Sequence, residues 1–341
     1  MRILILLIAL SIMIFLAYTI NSAWQQTAQT QFKDTSTEVI QKVTSFNAEQ
    51  IQPLPLETKF PTSKVNLGKR LFNDPQLSRD KSISCASCHN LTTDGTDDRS
   101  TSLGIEGRTG EANAPTVFNS GFNFSQFWDG RAATLEEQAV GPIHNPVEMD
   151  ADWKLILPRL LADKKYQYDF NKIYTDGLTA ENIVDAIATF ERTLTTPNSK
   201  FDRYLRGDKD ALNKQQLEGY QRFKDYGCIS CHQGINIGGN MFQRIGILQE
   251  YFKGKVKKTI DMGRFNITGR EEDKHVFKVP GLRNVAVTGP YLHDGSITEL
   301  SEVIQIMGKY QLGRILSDED TLLILAFLSS LTGEWQGKLL Q

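Results

Sequence analysis

The chain has 341 residues, and 38 Lys and Arg against 40 Asp and Glu give a formal net charge of −2 at pH 7. Hydrophobic residues make up 40% of it and charged residues 23%, an ordinary globular composition that excludes wholesale disorder and a polytopic membrane protein. The near-neutral charge offers no basic footprint, so no nucleic-acid partner is expected. The length is sufficient for two domains, each with its own core.

Residues 1–23 predict a signal peptide or a membrane anchor. After Arg2, residues 3–20 are uncharged and largely apolar, a length between a signal-peptide core and a spanning helix. Residues 21–23, Asn-Ser-Ala, match a cleavage site poorly, which favours an uncleaved anchor. Since the only early charge precedes the run, the remainder should lie in the periplasm, either soluble after cleavage or tethered to the inner membrane.

The segment that follows predicts little regular structure before the first helix. Residues 24–60 are a polar tether that ends in an extended, proline-punctuated stretch. A short helix should begin there, capped by Thr62 or Ser63. Residues 91–115 are rich in Gly, Thr and Asp and predict a loop.

Five further helices are predicted by apolar residues that recur with a helical period. They cover residues 151–174, 179–194, 208–226, 296–310 and 317–331. Pro158 should interrupt the first, and Ser317 should cap the last. No alternating pattern of useful length predicts a strand, so the fold class is mainly α with long loops.

The most informative feature is a repeated motif that contains all four cysteines. It reads Cys-Ala-Ser-Cys-His at residues 85–89 and Cys-Ile-Ser-Cys-His at residues 228–232. Each copy marks one module. We therefore predict two tandem cytochrome c-like domains, residues 61–200 and 201–341.

Cys-x-x-Cys-His is the attachment signature of a c-type haem. The two thiols form thioethers with the porphyrin vinyl groups, and the imidazole becomes the proximal iron ligand. A zinc ribbon usually has its cysteine pairs closer together, and a redox dithiol needs a βαβ context. Two covalent haems are therefore predicted, one on Cys85, Cys88 and His89 and one on Cys228, Cys231 and His232.

The sixth ligands of the two irons decide the function, and the residues alone leave them open. A His/Met haem has a raised potential and carries electrons, whereas an open distal face can bind and activate a small molecule. The candidate ligands are His144, His275, His293, Met149, Met241, Met262 and Met307.

Further motifs follow one another in a fixed order. They are Cys-Ala-Ser-Cys-His-Asn at 85–90, Asn-Ala-Pro-Thr at 113–116, Gln-Phe-Trp-Asp-Gly-Arg at 126–131, Gly-Pro-Ile-His-Asn-Pro-Val-Glu-Met at 141–149, Phe-Lys-Val-Pro-Gly-Leu-Arg-Asn at 277–284, Gly-Pro-Tyr-Leu-His-Asp-Gly-Ser at 289–296 and Ile-Met-Gly-Lys-Tyr-Gln-Leu at 306–312. From about residue 53 to the C-terminus, the chain thereby resembles the bacterial dihaem cytochrome c peroxidases. That wider group also contains the dihaem enzyme that matures methylamine dehydrogenase.

The resemblance implies a division of labour between the haems. The N-terminal haem would be the low-potential site that reduces hydrogen peroxide to water. The C-terminal haem would accept electrons at high potential, with Met307 as its second axial ligand. Trp128 would lie between the haems on the electron route, and Gln138 and Glu148 would line the peroxide pocket.

The resemblance also implies further partners. A calcium ion would sit at the domain interface, held by the Asn113 side chain and by the carbonyl oxygens of Thr288 and Pro290, a ligand type that suits this hard cation. The electron donor would be a small cytochrome c or a cupredoxin. His293 would support a haem or the calcium ion without ligating it. Family members often form homodimers.

One departure from the family pattern concerns the first haem. Many of these peroxidases carry a distal His before the Asn-Ala-Pro-Thr motif, and Ile105 stands at that position. Isoleucine cannot ligate iron, so we predict a five-coordinate first haem that needs no reductive activation; Glu106, Glu111 and His144 are weaker substitutes. The maturation enzyme also has an open first haem but carries Tyr where Met307 stands, so Met307 favours a peroxidase over a protein-oxidising enzyme. A dihaem electron carrier without catalysis would need both irons six-coordinate.

Overall fold

The computed structural model describes residues 49–255 and 257–341. The predicted signal peptide or anchor and most of the tether lie outside these residues. Within them, no helix has the length and apolar character needed to cross a membrane. Residues Gln50–Gln341 form one compact unit.

This unit is mainly helical, as the sequence predicts. Its N-terminal half contains α1 (Thr62–Phe72), α2 (Cys85–Cys88), α3 (Leu135–His144), α4 (Trp153–Leu161), α5 (Lys164–Ile173) and α6 (Ala180–Glu191). Its C-terminal half contains α7 (Lys200–Leu205), α8 (Lys214–Asp225), α9 (Phe265–Thr268), α10 (Leu300–Ile306) and α11 (Asp318–Ser329). Strands in the described part form two short antiparallel pairs, β1 (Phe242–Arg244) with β2 (Val276–Lys278) and β3 (Glu334–Trp335) with β4 (Lys338–Leu339).

The predicted break at Pro158 is wrong. Pro158 lies inside α4, where its missing amide removes only one helical hydrogen bond. The break comes instead before α5, because the Asp163 side chain accepts the amides of Lys165 and Tyr166 and begins a new helix.

Other helix starts also differ from the prediction, among them that of α10, predicted at residue 296 and observed at Leu300. The residue before α1 is Pro61, with no side-chain cap from Thr62 or Ser63. The predicted helix over 208–226 begins only at Lys214, because the Asn213 side chain accepts the Gln216 amide in a capping box. The predicted Ser317 cap of α11 is confirmed by its bond to the Asp320 amide.

Two large hydrophobic cores and a smaller aromatic cluster lie within the described part of the compact unit. The first is built mainly from α1 and α3–α6, and Phe72, Tyr166 and Phe170 are fully buried in it. The second is built mainly from α7, α8, α10 and α11 around Phe201 and Phe327. The sequence passes from one core to the other near residue 200, while the division into two domains stays a prediction.

The same helix crossing occurs in both cores. In the first, a Cβ added at Gly68 of α1 would overlap the carbonyl oxygen of Ala186 and meet Phe190 Cβ on α6. In the second, a Cβ added at Gly219 of α8 would overlap the carbonyl oxygen of Leu323 on α11 and meet the phenylalanine four residues later, Phe327. Glycine therefore lets the helix before each haem motif lie directly on the closing helix of its core.

Candidate functional site

The first Cys-x-x-Cys-His motif forms one helical turn followed by an inward-turned imidazole. Cys85 and Cys88 form no disulfide. The Nδ1 of half-buried His89 lies 3.1 Å from the Gly95 carbonyl oxygen, so Nδ1 donates and Nε2 is left with its lone pair. Desolvation lowers the pKa of His89 and keeps the ring in the neutral form that binds iron.

The second motif repeats this chemistry on a 3-10 turn, Cys228–Ser230. Cys228 and Cys231 are also free thiols. The Nδ1 of His232 lies 3.4 Å from the Ile237 carbonyl oxygen, and burial lowers the pKa of His232 to about 4. Two thiols and a neutral imidazole with a free Nε2 fit a haem at each motif.

Met307 lies where α10 changes its winding. The helix continues from Ile306 into a π-helical turn, Met307–Gln311. Such turns are frequent at functional sites because the extra residue re-aims the side chains. Met307 itself is half-buried.

Trp128 is held at both its backbone and its indole ring. Its Nε1 donates to the Asn113 carbonyl oxygen at 3.0 Å, and its own carbonyl accepts the Lys278 amide at 2.8 Å. The ring packs beside the buried aromatic cluster of Tyr251, Phe252 and Phe277. Trp128 therefore joins a loop of the N-terminal half to β2 of the C-terminal half.

The predicted calcium residues come from two segments that meet. Asn113 is buried, and its amide nitrogen donates to the Arg99 carbonyl at 3.0 Å, which turns the side-chain oxygen away from that partner. The Asn113 amide donates to the His293 carbonyl at 2.9 Å, which joins it to the loop that carries Pro290. Thr288 and Pro290 are half-buried.

Glu148 follows α3, a helix that the sequence analysis missed although Thr134 and Glu137 have the spacing of a capping box. Its Oε1 accepts the Asn145 amide nitrogen at 2.6 Å. Burial raises the pKa of Glu148, and Asn145 and Arg131 offset this only in part. Burial raises the pKa of the Cys88 thiol, and the charges of Asp97 and Glu148 add to the increase, which places the Glu148 carboxyl near the first motif. Gln138 lies half-buried on α3.

Ile105 packs against the backbone of Glu148. Its side chain is fully buried, and its amide donates to the Glu148 carbonyl oxygen at 2.9 Å. A Cβ at the neighbouring Gly104 would overlap the Val147 carbonyl oxygen, so the two segments are in close contact. The position of the absent distal His is therefore beside the predicted acid–base residue.

The weaker substitutes for a distal ligand have other partners. Glu106 is exposed and paired with Arg79 and Arg108. Glu111 accepts the Ile260 amide at 3.3 Å. His144 is exposed.

The remaining histidines share one acidic partner. Buried His293 places Nε2 2.7 Å from Oδ1 of Asp261, and His275 places Nδ1 2.7 Å from the carbonyl oxygen of the same residue. Together with Asp294, Asp261 and His293 bring potential ligand atoms within 4.8 Å of one another. Asp261 therefore fixes the orientation of both imidazoles.

Glu191 and Lys278 are among the buried ionisable residues that the sequence analysis missed. Glu191 ends α6 on the face of Ile183 and Ile187, four and eight residues earlier, and this spacing was the signal available. Within the described residues its Oε2 has no hydrogen-bond partner, and burial raises the pKa of Glu191 to about 8. Lys278 on β2 is buried, and burial lowers its pKa to about 8.

A helical unit with two thiol–imidazole sites, one of them close to acidic side chains, has the residues that a dihaem redox protein needs. The profile of the family described as di-haem cytochrome c peroxidase matches residues 62–210. Cytochrome c peroxidase Ccp of Escherichia coli (strain K12) is 49% identical over 84% of this chain and 61% of that protein. Cytochrome c551 peroxidase of Nitrosomonas europaea is 46% identical over 84% of this chain and 85% of that protein.

A solved structure agrees with these similarities. The crystal structure of a MauG-like protein associated with microbial copper homeostasis has a TM-score of 0.72 and 28% identity, covering 85% of this chain and 95% of that one. The chain belongs to the dihaem cytochrome c peroxidase family and is an enzyme of the peroxidase class. It spans less than two thirds of the Escherichia coli relative but most of the Nitrosomonas one.

Proposed function

We propose that the chain reduces hydrogen peroxide to water at the first haem motif, with electrons that arrive through the second. The observation that carries this proposal is the position of Glu148. Its carboxyl is half-buried, is oriented by Asn145 and lies near Cys88, and the residue packed on its backbone is Ile105, which has no atom that could ligate iron.

The haem-binding residues fit this assignment. Thioethers would join the two haems to Cys85 and Cys88 and to Cys228 and Cys231. His89 and His232 would be the proximal ligands, and Met307 the second axial ligand of the second haem. When bound, the haems supply the redox-active irons that exchange electrons and bind peroxide.

Glu148 would act on the protons of the peroxide. Asn145 occupies its Oε1, so Oε2 is the atom left to take a proton from one peroxide oxygen and give it to the other, which leaves as water. The amide of Gln138 would help to orient the peroxide. Each turnover consumes two electrons and two protons from outside the site and releases two water molecules.

Other groups would serve electron delivery. Trp128 joins the two halves through Asn113 and Lys278 and would lie on the route between the haems. A calcium ion on Asn113, Thr288 and Pro290 would fix the carbonyl that holds the indole. The donor would be a small cytochrome c or a cupredoxin in the periplasm. Tethering by the N-terminal segment and dimerisation belong to the same proposal.

The test is steady-state peroxide consumption with a reduced small cytochrome c, started from fully oxidised holo-protein. We expect immediate turnover, and electron paramagnetic resonance should show one high-spin and one low-spin ferric haem. A lag that pre-reduction removes would contradict the open first haem but keep the peroxidase. Absence of turnover under both conditions would instead favour a protein-oxidising enzyme or an electron carrier.

A further inference from the structure

Beside the Met307 segment lies a patch of unpaired positive charge that the overall net charge conceals. Four lysines of one loop are exposed, and Lys309, two residues after Met307, is exposed as well. The loop lysines are Lys253, Lys255, Lys257 and Lys258. In the described part of the chain, the lysines found in ion pairs are others, Lys64, Lys214 and Lys274.

Several contacts hold this loop on the π-helical turn. The Leu248 amide donates to the Tyr310 carbonyl at 3.1 Å, and Gln311 Oε1 accepts the Ile247 amide at 3.1 Å. Tyr251 packs edge-on against Tyr310 with ring centroids 5.1 Å apart. Lys255 Nζ lies 3.5 Å from the centre of the Tyr251 ring and Lys309 Nζ 5.0 Å from that of Tyr310, so the packing of the two tyrosines brings lysines of the loop and of the turn together next to Met307 in the chain.

Exposed aliphatic side chains lie on the same surface. Ile247, Leu248 and Ile315 are 48%, 61% and 90% exposed. A Cβ at Gly313 would come within 2.9 Å of Leu248 Cδ1, so the loop and the segment that carries Ile315 are in contact. We call these three residues, the five lysines and exposed Arg314 the docking face.

The docking face has the composition of a short-lived protein interface, with an apolar centre and a charged rim. The exposed carboxylates beside it, Glu111, Glu250, Asp318 and Glu319, are fewer than its six cations, so the rim is positive on balance. Such a field steers an oppositely charged partner and raises the association rate.

We propose that the docking face binds the acidic face of a small electron-transfer protein, which delivers electrons above Met307. This inference rests on the proposed function and names the chemistry of its donor. The aliphatic residues supply the contact, and the lysines select a donor whose redox centre is surrounded by carboxylates. A basic-faced donor meets like charge and is disfavoured.

Binding and turnover are tested separately in the holo-protein. The variant Lys253→Glu/Lys255→Glu/Lys257→Glu is compared with Lys164→Glu/Lys165→Glu/Lys172→Glu, which makes the same charge change at exposed positions on α5. Calorimetric titration with an oxidised acidic-faced cytochrome c at low salt should show about tenfold weaker binding to the first variant and less than twofold change for the second. High salt should remove the difference.

Steady-state turnover with two different reductants then distinguishes the docking proposal from the proposed reduction of peroxide. With the acidic donor, the first variant should show a raised KM and an unchanged kcat, and with hydroquinone, a small neutral reductant, it should match the unmodified enzyme. Unchanged donor binding, or tighter binding of a basic-faced cytochrome to the unmodified enzyme, would overturn the docking proposal. The docking proposal would also be overturned if the unmodified enzyme bound phosphatidylglycerol vesicles and the variant lost this binding but still bound the donor. Failure of peroxide reduction with hydroquinone would count against the proposed function alone, because the titration does not depend on it.

Discussion

The two haem motifs are alike in their own residues and differ in the charges around them. Burial raises the pKa of the Cys85 and Cys88 thiols, and carboxylates add to it, Glu191 at Cys85 and Asp97 and Glu148 at Cys88. Burial also raises the pKa of Glu148 and Glu191 themselves. Around Cys228, the charge that acts is that of its neighbour Cys231. Reduction of peroxide includes proton transfer and therefore needs an ionisable group at the site, whereas electron transfer alone does not. The contrast supports the proposed division of labour.

The largest expected effect comes from removing the acid–base group of the first site. Glu148→Gln should lower kcat/KM for peroxide by about 10²–10⁴, the range of general acid–base catalysis, with binding of the donor unchanged. Because the ionised form accepts the proton, kcat/KM of the unmodified enzyme should fall as the pH drops through the raised pKa of Glu148. Stopped-flow kinetics over pH measure both. Glu137→Gln, an exposed acid on α3, is the control, and a loss below threefold in Glu148→Gln would contradict the role.

The second prediction concerns a substitution that should give the iron of the first haem a sixth ligand. Ile105→His places an imidazole at the position packed on Glu148. The ferric first haem should become low-spin, and peroxide turnover from the oxidised state should show a lag that pre-reduction removes. Absorption and paramagnetic resonance spectra report the change. Ile105→Leu should leave the spectrum as it is, and an unchanged spectrum in the His variant would show that this position does not reach the iron.

The third prediction tests whether the glycines at the two helix crossings contribute equally to the stability of their cores. Gly68→Ala and Gly219→Ala each force a methyl group into a facing backbone carbonyl, and each should lower the free energy of unfolding by about 1–3 kcal/mol. Urea unfolding, followed separately by the spectra of the two haems, measures the loss. Gly110→Ala, whose nearest contact is 3.9 Å away, should have little effect. A change in only one core would show that the two crossings are not equivalent.

The last prediction concerns the contrast in buried charge. Burial keeps Glu191 protonated in the folded protein up to about pH 8, whereas its ordinary pKa is 4.5. The folded state therefore binds more protons between these values, and stability should fall as the pH rises from about 4.5 to about 8. Glu191→Gln should flatten this slope of the melting temperature, and Glu181→Gln, exposed at the other end of α6, should not. An unchanged slope in Glu191→Gln would mean that Glu191 ionises freely.

The sequence predicted what depends on local spacing. Both haem motifs, the helical class and the Ser317 cap follow from residues close together in the chain, and the mainly helical fold and the peroxidase class are confirmed. The break before α5 was misplaced because the Asp163 cap outweighs Pro158. The site roles of Trp128, Gln138, Glu148, Met307 and the calcium ligands stay predictions.

What the sequence could not show depends on tertiary structure. Lys309 and the loop lysines are separated by about fifty residues of sequence, and tertiary contacts such as the packing of Tyr251 on Tyr310 bring the two segments together. The packing of Ile105 on Glu148 likewise joins two loops. Spacing along the chain carries no signal for such pairs.

The paired glycine crossings also bear on how this chain arose. Gly68 meets the carbonyl oxygen of Ala186 and Gly219 that of Leu323, and in each core a phenylalanine follows that residue four positions later. This is what tandem duplication of one ancestral single-haem gene would leave behind. On this shared frame, the acids near the first motif are a difference between the two halves that the helix crossings do not require.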